Sequence, residues 1–347
     1  MTPVRTAICS FGMSGKVFHA PFLHLHEGFT LHSVWERSKK TAAEFYPGIK
    51  SADTYEQLLA DDAVELIVVN TPNYTHFDYT KKALLAGKHV VVEKPFTNTV
   101  SEAEELQALA AAQGKVLAVY HNRRWDSDFQ TVQQVVRQGL LGEIVEAEIH
   151  FDRFKEELSP KAHKEMPQPG TGVLYDLGSH LIDQALVLFG MPEEVFADIR
   201  IVRPISQVDD YFEVLLYYPN LRVRLHASYL VREAGPGFIL HGSKGSFLKS
   251  RADVQEAALL AGALPQGGEW RQEPESEQGL LHTEKEGRVV RENIPTLAGN
   301  YHGYYNGIYE AIRNGAPAPV TATDGLNIIR IIEAAQRSSK EGKVIAF

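Results

Sequence analysis

Asp176 and His180 stand four residues apart in the stretch GTGVLYDLGSHLIDQ, residues 170–184. On an α-helix that spacing puts both side chains on one face. A carboxylate there can orient an imidazole that takes up a proton, a common general-base arrangement. Gly170 and Gly172 open the stretch, and glycine permits close backbone approach to a pocket. Two other readings stay open, a buried ion pair and a simple exposed pair on a helix. A metal site would need a third ligand, and Asp183 lies about 60° around the helix from His180, so no metal is expected at this pair.

A second constellation lies in VVVEKPF, residues 90–96. An apolar strand would carry Glu93 and Lys94 to its carboxyl end, where Pro95 ends it. A lysine beside an oxidised nicotinamide is pushed toward easier deprotonation and can hydrogen-bond a substrate hydroxyl. A surface ion pair around Glu93 and Lys94 is the alternative. Near the amino terminus, SFGMSG places Ser10, Gly12 and Gly15 where a G-x-G-x-x-G fingerprint has its glycines, with Met13 and Ser14 between them. Gly12 would let the backbone approach a pyrophosphate and Gly15 would allow close helix packing, with the helix start offering amide donors. Ser10 departs from the pattern and is compatible with it if the backbone there does not need a positive φ.

The cofactor signals conflict beyond the second strand. Glu36 can accept both ribose hydroxyls, which favours NAD, while Arg37, Ser38, Lys39 and Lys40 can hold a 2′-phosphate, which favours NADP. These lysines also suit a solvated helix start. The third run leads into NTPNYTH, which sets Asn70, Thr71, Pro72 and Asn73 at a strand's carboxyl end, the edge where open α/β sheets bind ligands, with His76 at the entry to the next helix.

These residues need a scaffold. RTAICS, FTLHSVW, ELIVVN, KHVVVE and KVLAVY read as strands, with helical patterns near residues 39–46, 76–86 and 101–113. Apolar strands joined by helices predict a doubly wound parallel sheet, a nucleotide fold. Near residue 121 the rhythm changes. After a helix over residues 128–138, the alternating runs VEAEIHFDRF, DYFEVLLYY and LRVRLHASYL predict a second, α+β domain with a mostly antiparallel sheet. Residues 155–170 read as a mobile loop and 262–280 as a surface excursion. The alternate apolar positions Phe212, Val214 and Leu216 suggest an oligomer contact.

A formal charge of -9 with no basic block removes the electrostatic ground for nucleic-acid binding. The single cysteine, Cys9, excludes an internal disulfide framework and a cysteine-rich zinc site. With no signal-peptide pattern and no apolar run of about twenty residues, a cytoplasmic protein without a membrane segment is expected.

Taken together, the dinucleotide unit, VVVEKPF and GVLYDLGSH resemble the Gfo/Idh/MocA family (glucose-fructose oxidoreductase, inositol dehydrogenase, rhizopine catabolism) in order and spacing over essentially the whole chain. The resemblance implies a Rossmann domain over residues 1–122 and, over 123–347, an α+β substrate-binding and oligomerisation domain with a large open sheet. It also implies a homodimer or homotetramer. By motif, Lys94 is the lysine of E-K-P, Asp176 the supporting aspartate and His180 the acid or base. The activity implied is hydride transfer between a secondary hydroxyl of a cyclitol or sugar and NAD or NADP.

YHNRRWDSDF, FDRF and VDDYF are most similar to the NADP-preferring scyllo-inositol dehydrogenase subgroup, which points to NADP while Glu36 points to NAD. His121, Asn122, Arg123, Asp152, Arg153 and Tyr175 are the substrate-side residues it suggests. In the expected mechanism His180 takes the hydroxyl proton and Lys94 stabilises the developing alkoxide. A glycosidase using transient oxidation and a non-catalytic dinucleotide-sensing protein are the alternatives.

Overall fold

The computed structural model describes residues 2–36, 40–161 and 164–347. By packing, the chain divides into two units, Met1–Asn122 with Glu256–Trp270 and Tyr301–Leu326, and Arg123–Gln255 with Arg271–Asn300 and Asn327–Phe347.

The first unit is built on six parallel strands, β1 (Val4–Ile8), β2 (Phe29–Trp35), β3 (Lys50–Ala52), β4 (Leu66–Val69), β5 (His89–Glu93) and β6 (Leu117–Tyr120). Their order is β3-β2-β1-β4-β5-β6, the doubly wound Rossmann arrangement. Leu66 to Val69 and Val90 to Val92 are wholly buried, because helices cover both faces of a parallel sheet. The crossovers carry α1 (Ala20–Leu25), α2 (Ala42–Phe45), α3 (Tyr55–Ala60), α4 (His76–Leu85) and α5 (Val100–Ala112). Capping boxes start α3 at Thr54 and Gln57 and α5 at Thr99 and Glu102, each satisfying two backbone donors at once. The sheet is the one the sequence predicts, with the short β3 added.

The second unit holds α6 (Ser127–Arg137), α7 (Ser179–Phe189) and a nine-stranded sheet. Its strands are β7 (Ile144–His150), β8 (Glu194–Arg200), β9 (Tyr211–Tyr217), β10 (Arg222–Ser228), β11 (Phe238–Gly242), β12 (Gly245–Lys249), β13 (Gly279–Lys285), β14 (Arg288–Ile294) and β15 (Ile345–Ala346). The order is β14-β13-β12-β11-β7-β10-β9-β8-β15, antiparallel throughout except for the parallel pair β7 and β10. Burial alternates along β9, so Phe212, Val214 and Leu216 are fully buried in this chain's own core. They cannot carry the oligomer contact the sequence suggested; the outward residues of β9 are Tyr211, Glu213, Leu215 and Tyr217. A buried ion pair, Arg203 Nε to Asp210 Oδ2 at 2.7 Å, ties the turn after β8 to the start of β9.

Three later helices complete the chain: α8 (Gln255–Leu260), α9 (His302–Asn314) and α10 (Ala322–Glu341). The sequence reading gave everything past residue 122 to the second domain, whereas Glu256–Trp270 and Tyr301–Leu326 pack with the first unit. Tyr301, Tyr304 and Tyr305 are fully buried there, and Val119 N donates to Val320 O at 3.2 Å. Residues 262–280 are also more than a surface excursion. Trp270 is buried against Phe22, and Glu273 forms a wholly buried ion pair with Lys249 at 2.6 Å. No helix of the described residues is long and apolar enough to cross a membrane.

Candidate active site

In the first unit the loop after β1 packs on its own backbone. Ser10 Oγ accepts from Gly12 N at 3.2 Å, and Asn70 Nδ2 donates to Ser10 O at 2.7 Å and to Ser14 Oγ at 3.4 Å. A Cβ on Gly15 would fall 2.2 Å from Ser10 O, so glycine is required there for close approach. Ser10 is tolerated because its φ is not positive; among the described residues Glu286 is the one non-glycine residue with that conformation. A Cβ on Gly12 would meet nothing within 4 Å but Ser10 Oγ at 3.4 Å, and Met13 beside it is exposed. Asn70 Oδ1 is buried and has no hydrogen-bond partner among the described residues. An open glycine backbone at the end of β1 and an unsatisfied amide oxygen at the end of β4 fit a dinucleotide phosphate and ribose.

Glu36 plays a different part from the one expected. It is buried, with Oε1 accepting from Thr41 N at 2.8 Å and Ala42 N at 3.2 Å, and Oε2 accepting from Ser51 Oγ at 3.2 Å. Its charge is shared with the amide groups that open α2 and with Ser51, a structural part that the sequence reading did not include. Lys40 is paired with Asp53. The expected positions Arg37, Ser38 and Lys39 lie outside the described residues.

β5 delivers Glu93 and Lys94 to its carboxyl end, and the Lys94–Pro95 peptide is cis. Glu93 sits between two supports, accepting from Lys94 N at 3.2 Å and lying 2.9 Å from His19 Nε2. The other His19 nitrogen is 2.6 Å from Tyr305 Oη. Burial alone would raise the Glu93 carboxyl, but the His19 contact and the charges of His19, Lys94 and His76 outweigh it and hold it below its ordinary value. His76, at the first turn of α4, has Nδ1 2.8 Å from Pro95 O and Nε2 2.9 Å from Thr71 O. Desolvation lowers its pKa. Thr71 Oγ1 meets Thr75 Oγ1 at 2.6 Å, Pro72 O accepts from Thr75, and Asn73 opens the short turn that follows. The loops after β4 and β5 are thus fastened to each other beside Lys94. His121 and Asn122 follow β6 and are buried.

In the second unit the segment bearing Asp176 and His180 begins as a π-helical turn, Leu174–Gly178, and becomes α7 at Ser179. Such wider turns are frequent at functional sites. Asp176 accepts from Lys164 Nζ at 2.9 Å, while His180 and Tyr175 are buried. Asp183 gives both oxygens to Arg124 at 2.6 to 3.1 Å. Arg123 lies over the Phe151 ring at 4.9 Å and bonds Asp126 at 3.2 Å; Arg153 lies over the same ring at 4.8 Å. Burial, then the Arg153 charge, lowers the pKa of Lys155, and Asp176 opposes that shift. Lys164 and Lys155 therefore both bring positive charge to Asp176.

Asp152 is a correction. Its carboxylate is held by His226, His150 and Ser228 N, on the face of the sheet opposite the one on which α7 packs. It is not a substrate-side group.

Asp209 anchors the segment and was missed. Its Oδ2 accepts from Leu174 N at 2.9 Å, and its main-chain O accepts from Val173 N at 2.8 Å. Gly172 has φ +96°, and a Cβ there would fall 1.9 Å from Asp209 Oδ1. Desolvation pushes the Asp209 carboxyl up to about 6. A carboxyl with a raised native pKa binds its proton more tightly in the native state, so its contribution to stability falls as pH rises from about 4 to about 6 and stays lost above that. Asp209→Asn keeps an oxygen for Leu174 N. It is expected to raise the unfolding free energy at pH 8, by at most about 3 kcal/mol, and with it the thermal midpoint, the gain vanishing at pH 4. Unfolding curves at the two pH values check this, and no gain at pH 8 would refute it.

Comparisons with known proteins bear on both units. Residues 4–121 match the family model described as "Oxidoreductase family, NAD-binding Rossmann fold", and residues 133–347 match "Oxidoreductase family, C-terminal alpha/beta domain". The chain is 39% identical over 342 residues to scyllo-inositol 2-dehydrogenase (NADP(+)) IolW of Bacillus subtilis, covering 99% of this chain and 95% of that protein. It is 30% identical over 194 residues to the D-glucoside 3-dehydrogenase of Escherichia coli, covering 55% of each. A crystal structure from Bacteroides fragilis is 48% identical with a TM-score of 0.92, covering 99% of this chain and 100% of that one.

Proposed function

The chain belongs to the Gfo/Idh/MocA oxidoreductase family, and on that premise we propose that it moves a hydride between a secondary CH–OH carbon of a cyclitol or sugar, scyllo-inositol-like in class, and NADP. The observation that carries the reading is the end of β5, where Glu93, braced by His19 and Tyr305, fixes the backbone of Lys94 in the nucleotide-fold sheet. The bound nicotinamide would supply the hydride acceptor or donor. Lys94 stabilises negative charge as it develops on the substrate oxygen, and His180 takes or returns the hydroxyl proton. Asp176 orients that imidazole, and Lys164 pairs with the Asp176 carboxylate at 2.9 Å. Tyr175, Arg123 and Arg153, with His121 and Asn122, contact the remaining hydroxyls. In this reading a homodimer or homotetramer uses outward residues of the large sheet, such as Phe196 and Leu215.

NADP is favoured over NAD because the carboxylate that would reject a 2′-phosphate is already taken by three donors of the protein. The basic run after it also suits that phosphate. The test is a panel of inositols, aldoses and glycosides with each cofactor, read by absorbance of the reduced form. An inositol or sugar should yield NADPH with kcat/KM at least about tenfold above that with NAD, a 1.4 kcal/mol preference. Glu36→Gln should leave that ratio within about threefold, a fraction of the same 1.4 kcal/mol. Release of an aglycone with no net reduced cofactor would replace the proposal with a glycosidase that oxidises its substrate only transiently.

A further inference from the structure

The parallel pair β7 and β10 sets His150 and His226 directly opposite each other, with ring centroids 5.3 Å apart. Asp152 follows His150 by two residues and puts its carboxylate between the rings. Oδ1 lies 2.8 Å from His226 Nδ1 and Oδ2 lies 3.4 Å from His150 Nδ1. The cluster is partly sheltered, the Asp152 side chain being 8% exposed and the two imidazoles 21% and 18%.

Two features separate this arrangement from a set of ion pairs. His150 Nε2 lies 2.9 Å from Glu148 Oε2 in hydrogen-bond geometry. A ring nitrogen that gives its N–H to a carboxylate leaves the other as the lone-pair nitrogen, the usual support for a metal-bound histidine. His150 Nδ1 is that other nitrogen, and it faces Asp152. In addition, His226 Nδ1 is buried at 2.8 Å from an Asp152 oxygen yet makes no aligned hydrogen bond among the described residues. The two atoms are close without being aligned on each other.

One ligand atom each from His150, Asp152 and His226 all lie within 4.8 Å of one another. Ligands about 2.0–2.2 Å from a tetrahedral ion stand about 3.3 Å apart, inside that spread. Two imidazoles and a carboxylate suit zinc, and disfavour calcium or magnesium, which take oxygen ligands.

We propose that His150, His226 and Asp152 form a divalent transition-metal site, zinc by donor type, on the outer face of the large sheet, with Glu148 orienting His150. The ion clamps β7 to β10 at the sheet's one parallel pairing among the described residues.

The test uses the whole protein, stripped with chelator and dialysed, then titrated with ZnCl2 or CoCl2. One ion per chain should bind with Kd below about 1 μM. The cobalt form should show a visible d–d band, and zinc should raise the unfolding temperature. His150→Ala and His226→Ala should each lose the band and the thermal shift, and Glu148→Gln should weaken binding about 10- to 100-fold. His282→Ala, on the same sheet face, should change neither and controls for the chain's other histidines. Less than one ion per parent chain, or undiminished binding in a folded His150→Ala/His226→Ala double variant, overturns the site and leaves an ion-pair network. The parent's own stoichiometry decides the matter if the alanine variants do not fold.

Discussion

His180→Ala is expected to lower kcat on the best polyol about 10²- to 10⁴-fold, the usual worth of a positioned acid or base, with the Kd for NADP unchanged within threefold of the parent, under about 0.7 kcal/mol. The imidazole sits at the start of α7, just past a turn whose Gly178 would place a Cβ 3.3 Å from Phe212, so its position is fixed by packing. Because it is also buried, an alanine there leaves a void, and the thermal midpoint has to be measured beside the rates. His180→Gln fills the space and should be as slow as alanine. The limb of the kcat/KM profile that reports a histidine in the free enzyme should disappear in both variants. Turnover within a few-fold of the parent would remove His180 from the mechanism.

Lys94→Met should reduce kcat about 10²- to 10³-fold, the cost of losing one donor at a developing oxyanion. Methionine keeps the length and apolar stem but has no charge, and the backbone amide still donates to Glu93. Arginine at this position should not rescue, since its planar fork cannot stand in for a compact ammonium. If Lys94 and His180 serve the same substrate oxygen, the double variant should lose far less than the product of the single losses. Losses that simply multiply would mean that the two groups act on separate steps.

The scaffold was readable because local rules and tertiary structure agree in it. VVVE and LIVV are apolar on both faces, as a covered parallel strand must be, and the two capping boxes mark where α3 and α5 begin. β3 was not readable, for Lys50–Ala52 is three residues long and half exposed, too short to show a period. His19 also escaped notice. Beside Phe18 and Ala20 it looks like a core residue, and only folding brings Glu93 and Tyr305, 74 and 286 positions away, to its two nitrogens.

Asp152 could have been placed from the sequence. It shares parity with Glu148 and His150 in EIHFDRF, and strand alternation puts all three on one face, away from the apolar Ala147 and Ile149. The role of Glu36 had no such signal, since a carboxylate after β2 serves ribose or helix equally well in the sequence. The proposed roles of Lys94, Asp176 and His180 rest on the family motif. Asp209, which anchors the start of the segment bearing Asp176 and His180, is visible only once Gly172 is seen folded against it.

One feature of the first unit bears on how the protein is made. All six strands of its sheet have been synthesised by residue 120, yet the tyrosines that close its core come from Tyr301 to Tyr305 and its last packing residues run to Leu326. At roughly 5–20 residues per second, translation leaves the nascent cofactor-binding sheet waiting many seconds with an aromatic gap in its side. Its native state is therefore reached only after residues as far along as Leu326 have been made.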